Sequence, residues 1–319
     1  MLTLHPGADA TVSPGTVAAA VWIDLLDPTA EEAALVAAAT GLVIPTRDQL
    51  SEIEHSSRLQ VEGQTLRLSA PLLAHADTPE QTLTPVGFVV SPRTLVTVRY
   101  ARLRVFEAIG ARCAAGGDLS APGVFVQLLE AVIDRDADVL ENIGAELEAI
   151  SRAIFRAEAP RRGQGVRNDD SLRRTLAGVG QIGDRLSEIR ASLLGVGRIV
   201  PFVLQVAAGW LAADHRVRLD AARQDIASLG DFEAHLASKS QFLLDAVLGF
   251  INTQQNELFK TLTIVSVVGV PPTLLAGVWG MNFHYMPELS RPWGYPAAIF
   301  LIIASGVVPM LWFKWKRWW

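Results

Sequence analysis

The chain has 319 residues, 50% of them hydrophobic, a mean hydropathy of +0.28 and a formal net charge of −5, which makes it longer than an average domain and more apolar than most soluble proteins. Residues from Phe259 onward hold five of the 28 lysines and arginines and one of the 33 acids, so residues 1–258 keep 23 cations against 32 acids. That acidic part, with no basic cluster interleaved with aromatics, excludes nucleic acid as a partner, and the lone Cys113 excludes an intrachain disulfide and a cysteine-based zinc site.

The N-terminal stretch MLTLHPGADATVSPG lacks the basic start and long apolar core of a secretory signal, so it is expected to stay where it is made. Residues 1–118 then alternate strand and helix signals. Residues 17–25 (VAAAVWIDL) predict a strand and residues 29–40 an Ala-rich helix. TRDQ at residues 46–49 is a capping box that opens another helix. Two runs, RLQVEGQTLRLSAPLL and VGFVVSPRTLVTVRY, are broken at Glu62-Gly63 and Ser91-Pro92 and predict β-hairpins. The fold class expected here is a small α/β domain with a mainly antiparallel sheet.

Strand signals stop near Ala121. Residues 119–200 read as a long antiparallel helical hairpin, with residues 123–155 going out, a Pro/Gly/Arg-rich turn at 159–170, and residues 171–196 returning. After Pro201 and a short irregular stretch, residues 201–261 read as a stalk helix that starts near Asp214 and meets no proline until Pro271. Its heptad trace runs through Leu219, Ala222, Ile226, Leu229, Glu233, Leu236, Ser240, Leu243, Val247, Phe250 and Gln254. Continued to Trp279, such a helix is on the order of 100 Å long. One small domain is not expected to bury it, so the stripe is expected to face copies of itself.

Residues 262–279 and 295–313 carry no charge, and each is about long enough to cross the hydrocarbon core of a bilayer. Lys260 precedes the first span and Lys314, Lys316 and Arg317 follow the second, in a basic aromatic tail at residues 314–319. By the positive-inside rule both termini are expected in the cytoplasm, with the loop at residues 280–294 outside. Trp279, Trp293 and Tyr295 then form one aromatic belt against the lipid, and Trp312, Trp315, Trp318 and Trp319 the other.

The loop itself reads WGMNFHYMPEL. A Gly-Met-Asn turn at the end of a span, followed by Met-Pro-Glu-Leu and a tight return, resembles the CorA family of divalent cation channels, with Trp279 where that family usually has Tyr. The resemblance is strongest over residues 243–289, and the order of parts matches along the whole chain. It implies a funnel-shaped homopentamer in the cytoplasmic (inner) membrane that admits Mg²⁺, and also Co²⁺ or Ni²⁺, through a central pore lined by the first span. Gly280, Met281 and Asn282 would form its selectivity filter. Mg²⁺ dehydrates reluctantly, so a ring of Asn282 amide oxygens suits a hydrated ion held through its water shell. Glu288 would raise the local cation concentration, and Gly280 lets the backbone leave the helix.

Below that ring one helical face carries Asp245, Leu248, Asn252, Asn256, Phe259, Thr263, Ser266, Val270, Thr273 and Gly277. Polar residues on an otherwise apolar span suggest a wetted wall. The resemblance puts Asn256 and Thr273 among polar pore positions, Leu248, Phe259, Leu262 and Val270 among hydrophobic constrictions, and Asp245 at the cytoplasmic entrance. Val270 stands where a bulkier Met is common, which implies a wider gate, and Pro271-Pro272 invites a kink. Alternatives stay open: Thr263, Ser266 and Thr273 could bond back to the preceding helical turn, Asp245 could belong to a solvated stalk face, and His284 reads as a loop residue rather than a zinc ligand.

The family resemblance also implies cytoplasmic Mg²⁺ as a regulator that holds the channel closed. Asp220, Asp225, Asp231 and the run DRDADVLE at residues 134–141 are compatible acids, but none is assigned to that site. No P-loop, dinucleotide fingerprint, HExxH or Gly-x-Ser-x-Gly motif points to an enzyme. Two other readings remain: a ZntB-like zinc transporter, proton-coupled, on the same fold, and a membrane-anchored regulator without conduction. The Met-Pro-Glu form, in place of the Gly-Gly-Ile-Pro of the zinc branch, favours magnesium.

Overall fold

The computed structural model describes all residues except 6–12, 53, 76–80, 117–119, 157–168, 282, 283, 285, 287–290, 317 and 319. The chain divides into two compact units, one of Met1–Gly165 with Arg173–Leu244 and one of Val166–Leu172 with Asp245–Trp319.

In the first unit, β1 (Leu2–His5), α1 (Pro14–Ala19), β2 (Trp22–Leu26), α2 (Ala30–Thr40), α3 (Arg47–Ser51) and α4 (His55–Arg58) precede β3 (Leu59–Glu62), β4 (Thr65–Ala74), β5 (Thr82–Val90) and β6 (Leu95–Arg99). The sheet order is β1-β2-β6-β5-β4-β3, antiparallel except for the β2–β6 pair. Both expected hairpins form, β3–β4 around Gly63 in the left-handed region and β5–β6 across Ser91. The strand expected over residues 17–25 starts only at Trp22. Ser13 and Thr16 make a capping box with Pro14 in the first turn, so the Val17-Ala run is helical and Val17 is its buried anchor. The capping boxes Thr29/Glu32 and Thr46/Gln49 open α2 and α3.

Alternation along the strands sends side chains into two cores. Trp22, Leu68, Phe88 and Leu95 face the long helices, whereas Ile23, Leu25, Val89 and Val96 face α1–α3. Gly87 is required by this packing, because a Cβ there would come within 2.7 Å of the Leu50 side chain.

After α5 (Arg104–Ala114) come α6 (Ala121–Arg156) and α7 (Asp169–Val206), a 3₁₀ turn (Ala207–Gly209) and α8 (Ala213–Trp279). The return helix therefore runs past its expected end. Pro201 costs it one backbone hydrogen bond, but Val200 and Val203 on either side are fully buried and hold the helical course. Pro271 and Pro272 likewise lie inside α8. The predicted turn at residues 159–170 falls almost wholly outside the described residues.

The heptad stripe corrects a further expectation. Leu219 and Ala222 belong to the same core as α6 and α7, with Ile226 and Leu229 packed against it, and Leu236 and Leu243 are also buried. Gly144 of α6 lies against Leu236 and Phe232, Gly197 of α7 against Ile226, and the Lys239 ammonium donates to Glu148 at 2.7 Å. The stripe from Leu219 to Leu243 thus packs into the chain's own hairpin rather than waiting for other copies. The apolar residues it buries stabilise the three-helix contact at roughly 1.5–3 kcal/mol per large side chain.

Candidate functional site

The second unit contains the lower part of α8 and helix α9 (Gly294–Trp315). Among the described residues three stretches are long and apolar enough to cross a membrane: Leu172–Gly209, Ala213–Trp279 and Gly294–Trp315. The apolar window of the first is 44% buried within the chain, against 0% and 6% for the other two. The first spends its apolar side on the sheet and its helical neighbours. The other two, by contrast, expose theirs and need an apolar surrounding.

Every member of the predicted face of α8 is exposed: Asp245, Leu248, Asn252, Asn256, Phe259, Thr263, Ser266, Val270, Thr273 and Gly277. Leu262, on a neighbouring line of the helix, is exposed as well. From Asp245 to Gly277 that face extends roughly 48 Å at the helical rise. Its hydroxyls are not idle. Thr263 donates to the Phe259 carbonyl at 2.8 Å, and Thr273 to the Gly269 and Val270 carbonyls at 2.7 and 2.9 Å. A hydroxyl whose proton is committed to the backbone presents only lone pairs outward, which makes it a fixed acceptor.

At the upper end α8 closes at Trp279. The Gly280 amide still bonds the Ala276 carbonyl at 3.0 Å and Met281 reaches Val278 at 3.3 Å. A Cβ at Gly280 would lie 3.1 Å from the Ala276 oxygen, so the turn favours glycine. Met281 and His284 are exposed, while Asn282 and Glu288, the expected ion-facing residues, lie outside the described residues. Arg291 sits 5.8 Å over the Trp293 ring at the start of α9.

Two features of this unit escaped sequence reasoning. Gly306 lets α9 approach α8, since a Cβ there would lie 3.3 Å from the Pro272 ring and 3.5 Å from the Val268 carbonyl. The C-terminal aromatics also contact one another: Phe313 is buried, stacked on Trp318 at 5.4 Å and edge-on to Trp312 at 5.2 Å, while Trp312, Trp315 and Trp318 stay exposed. A glycine in an apolar span is the only signal that could have suggested the first.

No group of three or more His, Cys, Asp or Glu side chains among the described residues could hold a metal ion. Asp220, Asp225 and Asp231 lie on α8, and on α6 the pKa of Asp134, a side chain only partly shielded from solvent, is raised by that partial desolvation and by Glu130, Asp138 and Asp225 nearby. In the run DRDADVLE, Asp134 and Asp138 are exposed, whereas Asp136 is buried.

Two exposed apolar helices long enough to cross a membrane, joined by a segment that carries the sequence Gly-Met-Asn, in a chain that also has an α/β sheet and long amphipathic helices, define a class of membrane cation transporter. The family described as CorA-like Mg²⁺ transporter protein matches residues 17–317, and the chain belongs to it. The magnesium transport protein CorA of Salmonella typhimurium is 34% identical over 301 residues, covering 94% of this chain and 92% of that one. The complete CorA magnesium transporter from Methanocaldococcus jannaschii has the same fold, with a TM-score of 0.71 at 17% identity over 92% of this chain and 89% of that one. The ZntB cytoplasmic domain from Vibrio parahaemolyticus is similar at a TM-score of 0.54 and 10% identity, over 73% of this chain and 88% of that domain. These matches make the chain a CorA-type transporter and not an enzyme, and bear out the expected fold class.

Proposed function

We propose that the chain forms a homopentameric channel for Mg²⁺ influx across the cytoplasmic membrane, with both termini in the cytoplasm and the exposed face of α8 lining a central pore. The observation that carries this reading is that all ten residues of that face, picked for their spacing, stay exposed in the single chain, on a stretch of α8 that buries no residue beyond Val247 and so leaves the whole wall to other surroundings. Leu248, Phe259, Leu262 and Val270 act as constrictions, Asn256, Thr273 and Gly277 line the wetted wall, and Asp245 stands at the cytoplasmic entrance. Gly280, Met281 and Asn282 form the outer filter, where the Asn282 amide oxygens accept from the water shell of Mg²⁺, and Glu288 gathers cations. Cytoplasmic Mg²⁺ closes the channel through a site between subunits.

The family membership and the 34% identity to a magnesium transport protein support Mg²⁺ over Zn²⁺. The likeness to the ZntB domain is one of fold and does not favour the zinc reading. Dye-reported uptake into liposomes tests the assignment. Voltage-driven Mg²⁺ entry that is lost in Asn282→Ala is expected, whereas Zn²⁺ flux that follows an imposed pH gradient would move the chain to the zinc branch. Absence of either flux would leave the non-conducting regulator.

A further inference from the structure

A pocket of about 280 Å³ lies in the first unit where the end of β4, the start of α5 and the middle of α6 meet. His75, Arg102, Arg104 and Arg135 line it, together with Glu107 and Asp136. In a part of the chain where acids outnumber cations 32 to 23, this is a local reversal of charge. The first residues of α5 line the same pocket, and the N-cap of that helix, Leu103, makes no side-chain capping hydrogen bond. Its positive dipole end therefore adds to the arginines. The volume sits at the lower edge of ligand pockets, enough for a phosphate with a small organic group.

We propose that this pocket binds a small phosphate-bearing anion, held by the Arg102, Arg104 and Arg135 guanidiniums. Planar guanidinium forks match phosphate oxygens in pairs. Arg135 also reaches Asp138 at 3.8 Å, a loose surface pair that a phosphate would outcompete. The site is independent of the transport assignment, since every lining residue lies in the first unit.

Asp136 gives the site a signature that a merely basic surface would lack. Its side chain is 1% exposed and accepts from Ser192 Oγ of α7 at 2.8 Å. Burial lifts its pKa to about 7, against the opposing Ser192 hydrogen bond and the Arg135 charge. An anion in the pocket repels the Asp136 carboxylate, so binding is linked to proton uptake there and tightens as pH falls through neutrality. The other groups lining the pocket with it are His75 just after β4, Arg102 just before α5, Arg104 and Glu107 from α5, and Arg135 from α6. Of these His75 carries an ionisable ring beside the site, so it is replaced in the test.

The test is calorimetric titration of the full-length protein in phosphate-free detergent buffer with inorganic phosphate, and with sulfate, whose charge is constant between pH 6 and 8. Chloride at equal ionic strength is the control. Saturable binding of both oxyanions but not chloride is expected. Arg102→Ala/Arg104→Ala and, separately, Arg135→Ala should weaken it roughly tenfold or more. In His75→Gln, sulfate affinity should still fall several-fold from pH 6 to pH 8, and adding Asp136→Asn should flatten that dependence. Absence of saturable binding, or undiminished affinity in the arginine variants, overturns the site. A pH dependence that persists in the His75→Gln/Asp136→Asn variant overturns the role of Asp136.

Discussion

The Arg99 guanidinium and the Asp24 carboxylate face each other across the parallel β2–β6 pair, with Nη2 2.8 Å from Oδ2 and Nε 3.2 Å from both oxygens. Thr97 donates to Asp24 at 2.7 Å and accepts from the Trp22 indole at 2.9 Å, and Arg99 also bonds the Ala101 carbonyl and lies over the Phe106 ring. Every strong hydrogen-bonding group of the pair thus finds a partner inside the core. Asp24→Ala would leave the Arg99 charge buried without its counterion, at a cost of about 3–5 kcal/mol. The double variant Asp24→Ala/Arg99→Met should recover much of that loss. Denaturant unfolding of the three proteins checks this, and a single-variant loss under about 1 kcal/mol would show that the pair relaxes into water.

Asp136 makes a pH prediction of the opposite kind. Its pKa is raised to about 7 in the folded chain from 3.8, so between those values the folded state keeps a proton that the unfolded state has released. Stability from this group is then fully present below about pH 4 and is lost as pH rises through 7. Asp136→Asn keeps an acceptor for Ser192 and removes the titration. Relative to wild type it should gain stability by a few kcal/mol, on the order of 1.4 per pKa unit, with the gain growing from pH 4 to 7 and flat above. A difference that does not change over that interval would contradict the buried protonated carboxyl.

Much of this architecture is legible in the sequence because local chemistry and tertiary need agree. Gly63 and Ser91-Pro92 mark turns that both hairpins use, and the capping boxes at Thr29 and Thr46 start helices where expected. Where the two disagree, periodicity is silent. Residues 17–21 suit a strand by composition, yet Ser13 and Pro14 upstream decide for a helix. The α8 heptads reveal an apolar stripe but not its partner, and the partner is the hairpin already encoded upstream. Asp136 was hidden in an acidic run, although Val132, Asp136, Leu140, Ile143 and Leu147 share one helical spacing and are all buried. The run's other acids sit off that line. The residues proposed for the filter carry the most specific sequence pattern, but Asn282 and Glu288 fall outside the described residues, so the roles proposed for them rest on chemistry and kinship.

Close approach of α7 to the sheet gives a third prediction. A Cβ at Gly195 would lie 2.9 Å from the Pro71 ring and 3.0 Å from the Ala70 Cβ, neither of which is the end of a flexible chain. Gly195→Ala gains up to about 1 kcal/mol of helix propensity but overpacks a rigid contact at about 1–3 kcal/mol, so net destabilisation is expected. Gly180→Ala on the same helix meets nothing within 4 Å and should stabilise. Thermal unfolding of the two variants should move in opposite directions, and a shared sign would mean that β4 yields to the added methyl.

The last prediction concerns the proposed pore wall. Thr273 gives its hydroxyl proton to the Gly269 and Val270 carbonyls while its side chain is exposed on the candidate face. Back-bonding and ion contact are therefore compatible: the backbone takes the proton, and the oxygen's lone pairs remain for the water shell of a passing cation. Thr273→Val keeps the shape and removes that acceptor, whereas Thr273→Ser keeps the acceptor. Losing one such hydrogen bond at about 0.5–1.5 kcal/mol should slow Mg²⁺ entry into liposomes by roughly two- to tenfold in Thr273→Val and leave Thr273→Ser near wild type. Equal flux in all three would mean that Thr273 serves only its helix, and the wetted wall would then have to be built from Asn256 and the residues around it.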